Sequence, residues 1–228
     1  MASAHVQSNK QIEFSSATAA VTLAGVAAGS TLYAVAVWPS LTETLTSISS
    51  SVNGAFTLHN NPTANGDGRM AHGYLMNATA GSHTVTATKS GAAVSIELFV
   101  FELSDAGTMV DKIINPQTTP GTGADAVTST AITTAANGIL VGVGADLGQI
   151  TPPTVGTGFT AGPAGTIGNG EYKTTSGVGP TAVTFTETES YANDLTSAMA
   201  FSPAGGGPPP DPPSPVVVGR QMKGMIYV

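Results

Sequence analysis

YLMNATAGSHTVTAT (residues 74–88) and YKTTSGVGPTAVTFT (residues 172–186) are one pattern written twice. In each, an aromatic opens a strand, a glycine follows seven residues on (Gly81, Gly179), and a V-T-x-T run starts at Val85 or Val183. The offset is 98 residues at all three points. Upstream the repeat continues. Residues 126–129 answer 20–23 and residues 139–143 answer 33–37, both at an offset of 106, while Phe159 answers Phe56 at 103. Residues 195–202 close the second half as the strand ending at Phe101 closes the first. The offset shrinks because loops differ in length; the strand order is unchanged.

A strand that alternates apolar and polar residues has one face to cover. No stretch holds the 3.6-residue period over three turns, so the expected class is all-β: a duplicated antiparallel β-sandwich, jelly-roll or Ig-like. The strongest buried strand of the first half is LYAVAVW, residues 32–38. Residues 1–9 carry no pattern and read as an arm or contact peptide. HNNPTANGDG, residues 59–68, reads as a loop. The halves are expected at about 10–114 and 124–203, within a body spanning 1–204. A short join at 115–123 between equally apolar halves favours a single compact double-sheet body over two tandem Ig-like domains.

Charged residues are only 9% of the 228, and the net charge is −7. The seven Lys and Arg do not cluster, which argues against a nucleic-acid partner. Cysteine is absent, so disulfides and Cys-ligated metals are excluded. Residues 15–42 are uncharged but alternate like strands, so no membrane span is expected, and no basic-then-apolar secretion block precedes them.

After the body comes a Gly/Pro-rich linker, 205–215, and then an apolar peptide, 216–228. Polyproline geometry would let residues 208–215 span roughly 25 Å. The peptide sets Val216, Val217, Val218 and Met225, Ile226, Tyr227, Val228 around Arg220 and Lys223. It reads as a docking strand, the cations favouring an acidic surface; the competing reading folds it back on its own body.

No catalytic, cofactor or metal constellation is expected. His5, His59, His72 and His83 lack metal-ligand spacing; His59 and His72 flank the Asn-rich loop and read as exposed loop-end residues, although they could meet in space. Asn65, Asp67 and Gly68 resemble only part of a calcium loop and read as a turn. Glu187 and Glu189 share one strand face, as on a solvated surface. Gly142 and Gly144 sit within a strand and mark either close backbone approach or a bulge. Trp38, Tyr33 and Tyr191 are the candidate sugar-stacking aromatics, with Trp38 expected in the core.

The succession of Val35 and Val37, Phe56, Tyr74, the run Ala80-Gly81-Ser82-His83-Thr84-Val85-Thr86, and their second-half counterparts resembles β-sandwich virion proteins of tailed bacteriophages. The resemblance covers residues 17–202. It implies a non-enzymatic, oligomeric particle component: a capsid decoration or cement subunit, or a tail or fibre protein. Such a protein would contact major capsid or other virion proteins and be assembled in a bacterial cytoplasm, without cofactors. The alternative is a carbohydrate-binding or adhesion module of a fibre or bacterial surface.

Overall fold

The computed structural model describes residues 1–65, 68–117, 126–147, 152–187 and 194–205. Nine strands form a first lobe: β1 (Ala4–Glu13), β2 (Thr18–Val26), β3 (Thr31–Trp38), β4 (Leu45–Ser50), β5 (Gly54–Ala55), β6 (Thr57–Asn65), β7 (Gly68–Leu75), β8 (Gly81–Lys89) and β9 (Ile96–Ser104). Ten more form a second: β10 (Ala106–Gln117), β11 (Ala126–Thr128), β12 (Ile132–Thr134), β13 (Ile139–Asp146), β14 (Thr154–Val155), β15 (Thr160–Ala164), β16 (Gly168–Thr174), β17 (Gly179–Thr181), β18 (Thr184–Thr186) and β19 (Asp194–Pro203). The protein is all-β, and among the described residues there is no helix, hence none long and apolar enough to cross a membrane.

Pairing in the first lobe is nested: β1 with β9, β2 with β8, β3 with β7, β4 with β5. One long hairpin has been rolled up, giving sheets β1-β9-β3-β7-β6 and β2-β8-β4-β5, the jelly-roll arrangement. The second lobe repeats it with β10-β19-β13-β16-β15 facing the smaller sheets β11-β18-β14 and β12-β17.

The duplicated sandwich is therefore present, but in four layers rather than two. The reason is visible in β3, which is buried at all eight positions. Leu32, Ala34, Ala36 and Trp38 face the first lobe's own core, while Tyr33, Val35 and Val37 face a central core shared with Val141, Val143, Met199 and Phe201 of the second lobe. A sheet apolar on both faces must be covered on both. Phe101 lies against Gly170, where a Cβ would sit 2.6 Å from its ring. Leu140, Val183 and Phe185 fill the second lobe's own core. The glycines of β13 serve the approach expected of them, Gly144 lying under the Phe185 ring and Gly142 under Val183.

Three boundaries differ from the sequence reading. Residues 1–9 are not a free arm, because β1 pairs along its length with β9. Residues 59–65 are not loop but the end of edge strand β6. The halves meet at Asp105, because β10 pairs with β19 and so belongs to the second lobe. Residues 118–123 of the expected join lie outside the described residues.

Register also refines the repeat. Tyr33 pairs with Tyr74, whereas Ile139 pairs with Thr174. With Tyr33 matched to Ile139 at 106, Tyr74 therefore matches Thr174 at 100, not Tyr172 at 98. The glycines agree: a Cβ on Gly68 would sit 2.6 Å from the Trp38 carbonyl, and one on Gly168 2.6 Å from that of Gly144. The slip of two leaves the facing of every side chain unchanged, which is why Tyr74 and Tyr172 both still pack on the central core.

Candidate functional site

The lobes stack with their matching ends together. At one pole Ser3 Oγ donates to the Asp105 carbonyl (2.9 Å), Ala204 N–H donates to the same oxygen (2.5 Å), and Ser3 N–H donates to the Asn137 carbonyl (2.8 Å). Residues 1–3, the interlobe crossing and the exit towards residue 206 thus meet at this terminal pole. Two shallow clefts open near the same strand ends. One, of about 450 Å³, is lined by Asn53, Thr57, Tyr74 and Met76; the other, of about 230 Å³, by Thr134, Lys173, Thr175 and Val178.

The opposite pole holds several buried charges. Glu97 is fully buried and accepts the N–H groups of Thr166 (2.7 Å), Ile167 (2.8 Å) and Gly168 (3.2 Å) from the other lobe, with Lys10 Nζ at 3.6 Å. Lys89, also buried, donates to Glu43 Oε2 (2.5 Å) and to the Gly91 carbonyl (2.7 Å). In the second lobe Asp146 and Asp194 face each other across β13 and β19, and Glu187 follows β18. Their carboxylate oxygens lie within 4.8 Å of one another, and all three residues are buried. None is without further partners. These are the described residues that could hold a metal ion. Their oxygen-only chemistry suits a hard divalent cation, and shared protons would equally relieve the repulsion. Glu187 is thus 5% exposed rather than on a solvated face. Glu189 lies outside the described residues.

A third polar group crosses the central core. Ser197 Oγ and His72 Nδ1 are 2.8 Å apart, and the Tyr33 hydroxyl hydrogen-bonds Ser197 and lies 3.2 Å from His72 Nδ1. The serine–histidine contact has a nucleophile's geometry, but all three residues are at most 1% exposed, so no substrate reaches them. Burial lowers the His72 pKa to about 3 and raises that of Tyr33, keeping both neutral. The group works as a polar pin between the lobes, joined through His72 Nδ1 while His72 Nε2 is buried without a partner.

His59 and His72 therefore depart from the loop-end reading, since both lie in strands. His59 and His72 do meet, with ring centroids 5.7 Å apart, but His72 is buried. His83 is buried too, held by Ser50 Oγ and the Thr79 carbonyl at 2.8 Å each. His5 stacks on Tyr172 at 4.1 Å, another interlobe contact. Trp38 is in the core, as expected, donating to the Glu43 carbonyl (3.1 Å); Tyr33 is buried with it, so neither ring offers a sugar platform. Tyr191, Gly66 and Asp67 lie outside the described residues, as do all nine docking-peptide residues, Val216 to Val228. The carboxylate trio was missed because its members come from separate elements; the only sequence signal was acidic residues at or beside the ends of strands, Asp146 closing β13, Asp194 opening β19 and Glu187 following β18.

No protein-family model matches the chain, and no curated protein matches it significantly.

Proposed function

We propose that the protein is a non-enzymatic structural subunit of a virion, a capsid decoration or cement protein attached through subunit contacts and its terminal peptide. The observation that carries this reading is the terminal pole. Ala204 is pinned there beside Ser3 and Asp105, so the segment that follows leaves a rigid body at one defined end. A four-layer body with its polar groups sealed inside supports a mechanical role. So does the resemblance carried by Phe56, Tyr74 and residues 80–86. The partners are major capsid or other virion proteins, and the site of action is the particle, assembled in a bacterial cytoplasm.

The decisive experiment is co-sedimentation with undecorated particles. Full-length protein is expected to pellet with them, and residues 1–204 to stay in the supernatant while folded. Wild-type incorporation of the truncated protein would remove the docking role.

Carbohydrate binding is the second reading, favoured by the two clefts at the terminal pole. The burial of Trp38 and Tyr33 weakens it. Glycan-array binding retained by residues 1–204 would establish it instead.

A further inference from the structure

We propose that the face between the lobes is also an interface between copies of this chain, which join by lobe exchange: the first lobe of one copy seats on the second lobe of another. Three observations carry this, and none depends on the virion reading.

The interlobe contact is built twice from matching elements. β1 packs against β15, and its counterpart β10 packs against β6. Contacts that reciprocate about a two-fold axis are the form of an isologous subunit interface. Here that form occurs within one chain.

The grips across it are non-covalent and local to each lobe pair. They comprise Glu97 on the 166–168 backbone, His72 and Tyr33 on Ser197, and His5 on Tyr172. A lobe from a second copy supplies the same groups in the same places.

The covalent link is a single residue. Asp105 turns the chain from β9 into β10 with φ at 51°, in the left-handed region that most side chains avoid and that aspartate enters at a smaller cost than most. Short hinges under strain favour swapping. If Asp105 extends, β9 and β10 run on as one long strand, and the two lobes of a chain no longer reach each other. Each then pairs with a lobe of the next copy. The exchanged form relieves the Asp105 backbone but gives up the bonds that its carbonyl accepts from Ser3 and Ala204. The remaining contacts are common to both forms, so the balance is set at this residue and by concentration. Because the central core must open first, exchange is fixed while the chain folds.

The test is light scattering and native mass spectrometry on the full chain, refolded from denaturant at low and at high concentration. Dimers or larger species are expected from the concentrated sample, persisting on dilution with an unchanged circular dichroism spectrum. Two mass-labelled batches should form mixed dimers when refolded together and not when mixed folded. Asp105→Pro, whose ring holds φ near about −65°, should shift the protein towards dimer, and Asp105→Gly towards monomer. Monomer alone at every concentration would overturn the proposal. So would mixed dimers formed without unfolding, or a folded monomeric Asp105→Pro. Should that variant fail to fold, the wild-type series decides.

Discussion

Glu97 and Ser197 stand 100 residues apart at matching places in the two jelly rolls, opposite Val37 and Val143 respectively, yet only Glu97 grips the backbone of the other lobe. The repeat is symmetric in its strands and asymmetric in its polar pins. Removing Glu97 orphans three N–H groups, whereas removing Ser197 leaves Tyr33 and His72 with each other at 3.2 Å. Glu97→Ala is therefore expected to cost about 3 kcal/mol or more, and Ser197→Ala about 1 kcal/mol. Urea denaturation of both variants checks the order; equal losses would mean that the carboxylate carries no special weight.

Stability should depend on pH in two opposing ways. Burial raises the Glu171 pKa from 4.5 to about 7, against the pull of the Gly156 and Thr184 N–H groups. Unfolded chains lose this proton from 4.5 upward while the folded protein keeps it, so stability falls as pH rises from 4.5 to about 7. His72 runs from 6.5 down to about 3, so the unfolded chain binds a proton that the folded one refuses, and stability falls as pH drops below 6.5. Between 4.5 and 6.5 the two slopes cancel, and the curve from these groups is level. Glu43 and Asp111, both held below their ordinary values, steepen the acid side. Glu171→Gln should turn the level region into a rise with pH, read by denaturant midpoints across that range. A variant that stays level would remove Glu171 from the account.

The glycines of the second lobe should be intolerant of a methyl group in proportion to what lies over them. A Cβ on Gly144 would sit 2.6 Å from the Phe185 ring, and one on Gly156 only 1.6 Å from the Thr184 carbonyl. Gly144→Ala is expected to cost about 1 to 3 kcal/mol by overpacking, and Gly156→Ala more, since backbone must move. Gly177, with nothing within 4 Å, should accept alanine without loss. Thermal melts of the three give the ranking.

Phe56 and Phe159 answer each other at the entry to β6 and β15 but are not equally buried. Phe56 is 5% exposed in the first core, while Phe159 is half-buried beneath Lys173, whose Nζ lies 5.5 Å from its ring centroid. Phe56→Ala should cost about 3 to 5 kcal/mol, and Phe159→Ala clearly less. Equal costs would indicate that the second ring is more enclosed than its position suggests.

The strands with an apolar face or two were legible, at sheet edges such as β2 as well as in the middle, whereas β1 and β6 were legible at one end only. Residues 32–38 and 96–104 had to be apolar, and such short, nearly continuous apolar runs read as buried strands. β1 and β6 are edge strands, paired with a neighbouring strand on one side only, and no apolar rhythm is imposed. β1 instead uses polar side chains to close its seam, Gln7 donating to the Ala24 carbonyl and Asn9 to that of Thr22. The four layers had a signal too, although the short join at 115–123 argued for two. LYAVAVW has no polar face, which a two-layer body with one side in water does not permit. The pins at Glu97 and Ser197 were invisible because each depends on a partner supplied by the other lobe.

Nested pairing also sets an order in time. β1 waits for β9, and β10 for β19, so neither lobe can close until nearly all of its residues have left the ribosome. The first lobe is then complete at residue 104 while Tyr33, Val35, Phe99 and Phe101 still lack their cover. For as long as the remaining hundred or so residues take to appear, on the order of ten seconds at ordinary rates of synthesis, the nascent protein is a folded domain with one greasy side. That interval is when a chaperone, or a neighbouring nascent copy, has its opportunity.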